Sequence, residues 1–137
     1  AYTPFRKAMM AIMISPLFVP LIITASGMFV FFAKFHLVAT FTDMIIAHTV
    51  LGIPFVVITV TATLISFDHN LTRAASGLGG TPFYNFFKIQ MPLITPGVIA
   101  GALFAFITSF DEVVVVLFIG SQNQITFTRL MWSGIRQ

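Results

Sequence analysis

"DHNLTRAASGLGGTPFYNFFKIQMPLITP", residues 68–96, is the connection whose reading decides the fold. Asp68 is suited to cap a helix N-terminus, and Leu71, Ala74, Ala75 and Leu78 follow at i, i+3, i+4 and i+7. That spacing puts four apolar side chains on one face of a short helix. Gly79 and Gly80 supply its stop. Thr81-Pro82 then reads as the N-cap and first position of a second helix, with Phe83, Phe86 and Phe87 as its apolar stripe and an end near Pro92. Thr95-Pro96 repeats the cap-plus-proline signal and is expected to open a third, longer helix. Helices this short do not stand alone in water, so their apolar faces require another surface.

What flanks this connection says which surface. The chain has 137 residues, of which 58% are hydrophobic and 8% charged, with 17 Phe. An ordinary soluble domain carries about 25% charged residues. A globule this apolar could not cover itself with polar groups, so lipid must be much of its solvent. Residues 8–33, 44–67 and 89–110 contain no Lys, Arg, Asp or Glu. A membrane-crossing helix needs about 20 largely apolar residues, and each stretch is long enough. The expected fold is an all-α integral membrane bundle, with spans over 8–33, 44–67 and 94–120 and a polar-ended loop over 68–92.

The remaining composition mainly excludes. A net charge of +3 comes from seven scattered basic residues, with no patch that could track a phosphate backbone, so nucleic acid is not an expected partner. With no Cys there is neither a disulfide framework nor a thiolate metal site. The first span is too long for a signal-peptide core and lacks a cleavage pattern. The start at Ala1 and the polar end "WSGIRQ" lead to the expectation of a piece of a longer protein.

Within the first span, Pro16 and Pro20 stand four residues apart, and Gly52 and Pro54 mark a similar break in the second. Each proline would cost about 3 kcal/mol in a soluble helix. Membrane helices tolerate them where neighbours or hydroxyl side chains re-satisfy the backbone, and Ser15, Thr24 and Ser26 are placed to do so. If the 68–92 loop is cytoplasmic, Arg6, Lys7, Arg73 and Lys88 lie inside, while Lys34, Arg129 and Arg136 lie outside. Four against three agrees weakly with the positive-inside rule.

"RAASGLGGTPFYNFFKIQMP", residues 73–92, resembles the cytoplasmic loop motif of permease subunits in type I ABC importers. That motif runs Glu-Ala-Ala, three residues, Gly, about nine residues, then Ile-x-Leu-Pro. Ala74, Ala75 and Gly79 fill the first part, and Ile89 and Pro92 the second, with Met91 in place of Leu. Arg73 replaces the usual Glu and reverses a charge. "MISP", "PFVVITV" and "SFDEVVVVLF", in this order, are similar to the spermidine/putrescine subfamily, so the match extends over essentially the whole chain. Such permeases usually have six spans, of which this chain would hold the third, fourth and fifth.

The resemblance implies that the loop forms a coupling helix seated in a groove of a cytoplasmic ATPase. Its ATPase-coupling residues would be Leu71, Arg73, Ala74, Ala75, Leu78, Gly79, Phe83, Ile89 and Pro92. It further implies a second permease subunit, an extracytoplasmic solute-binding protein, a bacterial inner-membrane location, and no enzymatic activity or cofactor in this chain. "GLGG" has neither the following Lys nor the preceding strand of a phosphate loop, so ATP binds on a partner. Without the resemblance, the same hairpin reads as an interfacial pair lying on lipid headgroups.

Two further features carry possible chemistry. His36, His48 and His69 share no metal-ligand spacing, and each reads as a satisfied or surface histidine. Ser26 in "TASG" with His48 would make an intramembrane protease only with hydrogen-bond reach and an oxyanion site; a Ser beside a Gly in a span is more often a packing contact. Asp111 and Glu112 are half of the four acidic residues, set within an apolar run that continues to Ile119. At a membrane centre each charge costs roughly 2.5–3.5 kcal/mol. Gly97, Gly101, Ala105, Thr108 and Ser109 form a small-residue face that includes Glu112 and borders Asp111, so both carboxylates are expected to point into the bundle. Two readings stay open: a polycation path, or a structural pair bonded to a neighbouring helix. The path reading suits a polyamine importer. An iron or inorganic-anion importer, or a channel or carrier without an ATPase, are the alternatives.

Overall fold

The computed structural model describes residues 3–120 and 126–135, and every regular element among them is helical. Arg136, counted above on the outer side, lies outside the described residues. Helix α1 (Pro4–Ile14) runs into a 3-10 turn (Ser15–Leu17), and α2 (Leu21–Lys34) leaves it at 105°. The single helix expected over 8–33 is therefore two. Pro16 withholds the donor for the Ile12 carbonyl, and Ser15 Oγ supplies one at 2.7 Å, as its placement suggested. Four residues on, Pro20 withholds another donor and its ring disfavours α geometry at the preceding residue. The chain turns there and restarts with Pro20 as the N-cap of α2.

Helix α3 spans Phe41–Ile65 without interruption. The break expected at Gly52 and Pro54 does not form, because both are buried against neighbouring structure that holds the helix through the proline. After α3 come α4 (His69–Gly77), capped by the Asp68 side chain on the Asn70 N–H, and α5 (Pro82–Asn85), capped by Thr81 on the Tyr84 N–H. Gly79 turns the chain between them at φ +90°, which a side chain would strain.

Beyond α5 the structure departs from expectation again. A π-helical stretch (Phe86–Gln90) joins α5 directly to α6 (Met91–Asp111), giving one helical rod over Pro82–Asp111. No helix starts at Thr95; its hydroxyl instead donates back to the Met91 carbonyl inside the rod. The widened π turn shifts the hydrogen-bond ladder just where Pro92 interrupts it, so the proline does not end the helix. At the other end, the helix expected to reach residue 120 stops at Asp111. The backbone is extended at Glu112 (φ −75°, ψ 110°), and a separate α7 (Val114–Ile119) follows. Val115, Val116 and Ile119 of α7 are buried, packed chiefly against α2. A last helix, α8 (Phe127–Ile135), touches the end of α6, where Phe127 stacks on Phe110 at 5.8 Å between centroids.

Two helices, Phe41–Ile65 and Pro82–Asp111, are long and apolar enough to cross a membrane, and the bent α1–α2 pair makes a third if counted as one span. The two long helices lie antiparallel as the largest contact in the fold. Small residues set the register. Gly52 meets Ala105, Gly101 meets Val56 and Thr59, and Gly97 meets Thr59 and Thr63. A Cβ on Gly101 would lie 2.9 Å from Val56 Cα, and one on Gly97 2.8 Å from Thr63 Cβ. The small-residue face expected on α6 is the surface on which α3 lies, as close packing of membrane helices requires.

Candidate coupling surface and polar end

The two groups of residues singled out in the sequence occupy opposite ends of the Pro82–Asp111 rod, about 45 Å apart at 1.5 Å per residue. At the first end, α4 presents an amphipathic surface turned outward. No residue of α4 is buried. Leu71, Arg73 and Ala74 are exposed, Ala75 is half-buried, and Leu78, just past the helix, is 91% exposed. Phe83 at the start of α5 is 80% exposed beside them. Toward the protein it turns Thr72 and Ala75, both half-buried, and the hydroxyl of Ser76, which Asn85 reaches. Gly79 sits on the exposed turn, Ile89 is half-buried in the π stretch, and Pro92 is exposed on α6. These positions thus gather around one end, with the apolar side chains available to a partner.

Charge follows the same axis. Arg6 of α1 lines a groove with His69 and Gln90, so it belongs to the α4 end. Arg129 of α8 approaches Gly120, just after α7, at the opposite end.

That opposite end is where polar groups enter the apolar bundle. His48 of α3 and Ser109 of α6 form a hydrogen bond across the helix pair, Nδ1 to Oγ at 3.0 Å. The Glu112 carboxylate is close enough to act on His48 electrostatically. A shallow depression opens onto the pair, lined by Met44, Ile45, His48, Thr49 and Ser109. The serine of "TASG" has no part in this: Ser26 Oγ donates to the Ile22 carbonyl within α2.

The four acidic residues divide by what they bind. Asp68 caps α4. Asp43, fully buried, accepts the N–H groups of Ala39 (2.8 Å) and Met44 (2.6 Å), and so holds the tight α2–α3 turn in which His36 and Ala39 take positive φ. Glu112, 7% exposed, accepts the Val115 N–H at 2.9 Å in the first turn of α7. All three carboxylates accept backbone N–H groups at or just before helix starts, and the Ala39 N–H also reaches the Ile119 carbonyl at 3.2 Å. Asp111 is different. It is exposed and, among the described residues, makes no hydrogen bond or ion pair. Of the two carboxylates expected to point inward, Glu112 is buried within the described helices, whereas Asp111 is exposed on their surface. The cause is the end of α6: the chain leaves helical geometry between the two residues, so the helical phase used to place them together no longer applies.

Sequence reasoning missed Asp43, Asn85 and the His48–Ser109 pair. Asp43 could have been found, since Thr40 three residues before it makes a capping pair at the start of an apolar run. The His48–Ser109 contact joins residues 61 apart and has no local signal. The polar contacts of α4 were overlooked because the apolar spacing along it dominated the pattern.

An exposed apolar face, two helices of membrane-crossing length and composition, and polar groups at the far end describe a helical membrane chain. Residues 2–137 match the family described as binding-protein-dependent transport system inner membrane component, and the chain belongs to that family. It is 32% identical over 128 residues to the putrescine transport system permease protein PotI of Escherichia coli strain K12, covering 89% of this chain and 46% of that protein. It is 34% identical over 116 residues to the spermidine/putrescine transport system permease protein PotC of the same strain, covering 85% and 43%. A PotC homolog of Mycoplasma genitalium is 30% identical over 114 residues, covering 80% and 40%. The chain thus spans less than half the length of these relatives.

Proposed function

We propose that this chain is part of the transmembrane subunit of a binding-protein-dependent ABC importer for polyamines such as spermidine or putrescine, in a bacterial inner membrane. One observation carries the reading. The Pro82–Asp111 rod has an exposed apolar face, formed by α4 and Phe83, at one end and near the other an exposed carboxylate, Asp111, that has no partner among the described residues. The docking face suits a groove on a cytoplasmic ATPase, with Ala74 and Ala75 permitting close approach and Gly79 the sharp turn. A second permease subunit would complete the path and a solute-binding protein would deliver the solute from outside. ATP binding and hydrolysis belong to the ATPase, and this subunit is a transporter component.

The solute class rests on Asp111 and on the relatives' names. A polyamine carries several ammonium groups, and an exposed carboxylate with no partner among the described residues lowers the cost of stripping their water. Glu112, already bound to the Val115 N–H, contributes its charge at the same bend without being free to reach out. An inorganic-anion importer gives no account of this negative end. A channel or carrier without an ATPase leaves the exposed Leu71, Leu78 and Phe83 without a partner.

The reading is tested in the full-length protein expressed with its neighbouring subunits. Ala75→Trp and Gly79→Trp are expected to abolish co-purification of the ATPase while membrane insertion persists, since neither position can seat an indole in a close groove. Normal recovery of the ATPase with both variants would sink the coupling assignment.

A further inference from the structure

Helix α4 buries no residue of its own, so its attachment to the rest of the molecule needs an explanation. Its packing partners are chiefly α5 and the π stretch that begins the long rod. The centre of that contact is Asn85, the last residue of α5 and 6% exposed. Its Nδ2 donates to Ser76 Oγ at 2.7 Å and toward the Thr72 carbonyl at 3.4 Å, both on α4. Ser76 Oγ in turn donates to that same Thr72 carbonyl at 2.9 Å, so the three groups close a small network. The other half of the amide is packed rather than bonded. Asn85 Oδ1 is buried without a hydrogen-bond partner and lies against Gly80, where an added Cβ would come within 2.5 Å of it and 2.8 Å of the Ala75 carbonyl. On its other side α4 is joined to α3 by three residues, Ser66–Asp68, where Phe67 is buried and meets the His69 ring edge-on at 5.4 Å.

We propose that Asn85 is the positioning residue that fixes α4 on the foot of the Pro82–Asp111 rod, so that displacement of α4 by the ATPase is delivered to the span instead of being absorbed in the loop. This rests on the transport reading above. The physical reason is stiffness. A helix held only by exposed apolar contacts can roll on its neighbour, whereas a buried amide with two bonds to one helix and its backbone in another allows one orientation. Leaving its Oδ1 unpaired is unfavourable in itself, and it places the amide where Gly80 alone leaves room. The Leu71 and Leu78 side chains of α4 can then remain outward, because neither is needed to hold the helix in place.

The experiment measures solute molecules imported per ATP hydrolysed, in proteoliposomes containing the full-length protein, its partner subunits and its solute-binding protein, with radiolabelled putrescine as the probe. For Asn85→Ala the expected result is ATPase recovery within twofold of wild type, ATP hydrolysis at half the wild-type rate or more, and an import-to-hydrolysis ratio lowered at least tenfold. Ser76→Ala, which removes one of the two acceptors, should lower the ratio by about two- to threefold. In a full-length background whose other Cys are replaced, Ser76→Cys with Asn85→Cys offers a restoration, with disulfide formation checked on a non-reducing gel. The ratio should be low when that pair is reduced and return toward wild type when it is oxidised to a disulfide. If Asn85→Ala fails to insert, the cysteine pair decides alone. An unchanged ratio in Asn85→Ala, or equal ratios in the reduced and oxidised pair, overturns the proposal while leaving the transport reading intact. Failure of the wild-type protein to recruit any ATPase overturns the transport reading and this proposal together.

Discussion

The two ends of the Pro82–Asp111 rod use polar residues in opposite ways. At the α4 end the buried polar contact is an amide, Asn85, which joins two helices and leaves the apolar surface outside. At the Asp111 end apolar residues of α7 are buried, and the carboxylates of Asp43 and Glu112 close backbone ends around them. The first arrangement ties α4 to the foot of the rod with its Leu71 and Leu78 side chains exposed. The second breaks a helix and leaves one carboxylate, Asp111, without a partner among the described residues. On the function proposed above, the rod is gripped at one end and meets a solute at the other, and the tight α3–α6 seam lies between.

That seam is where the comparison can be broken most severely. Gly97→Leu would put a branched side chain where a Cβ already meets Thr63 and Thr59. Overpacking of this kind costs roughly 1–3 kcal/mol and more where backbones are in contact. The expected outcome is loss of assembled complex in detergent, measured by size-exclusion chromatography. Wild-type yield would show that the two ends need no shared seam.

Next in size is the division of labour between neighbouring carboxylates. Asp111→Asn should reduce polyamine uptake at least tenfold with the melting temperature unchanged, because the residue has charge but no partner among the described residues. Glu112→Gln keeps an acceptor for the Val115 N–H but loses its charge, so the complex should lose about 1 kcal/mol, the difference between a charged and a neutral hydrogen bond. Uptake measured beside thermal melting checks both. The opposite pattern, a melting loss at 111 and an uptake loss at 112, would reverse the assignment.

A smaller effect is expected at the His48–Ser109 bridge. His48→Ala, Ser109→Ala and the double variant should give a coupling of about 0.5–1.5 kcal/mol in a double-mutant cycle on melting. A coupling of zero would mean that the polar end holds together through α7 alone. Smallest of all is Arg73. It is exposed on α4 at a position usually Glu in such permeases, and Arg73→Glu should leave uptake unchanged or slightly weaker. A clear gain in coupled ATP hydrolysis would show that the ATPase groove reads this side chain as a Glu.

Legibility in the sequence followed how local the cause was. The caps at Asp68 and Thr81 and the turn at Gly79 depend on residues within four positions of each other, and each is found where the sequence places it. The small face of α6 was legible because helical periodicity alone defines it. Proline was the misleading signal. Pro54, Pro92 and Pro96 lie within continuous helix, whereas the pair at 16 and 20 produces a 105° turn. A proline removes one donor wherever it stands, and whether the helix survives depends on what packs around it, which no local pattern records.

The amino-acid sequence alone determined that this chain is helical, that its solvent is largely lipid, and that a capped hairpin with an apolar face separates its two longest spans. Periodicity, charge depletion and capping chemistry act over a few residues, so they can be read in order along the chain. Only the tertiary structure decided that α5 and α6 are one rod, that α4 is held by the Asn85 amide with Leu71 and Leu78 outward, and that the chain breaks between Asp111 and Glu112. The first follows from the π turn that carries the helix past Pro92, and the other two depend on contacts between separate helices. The bend at Glu112 forms because burying Val115, Val116 and Ile119 against α2 and α3 outweighs one more turn of α6, with the Glu112 carboxylate satisfying the N–H of Val115 that the new helix start exposes.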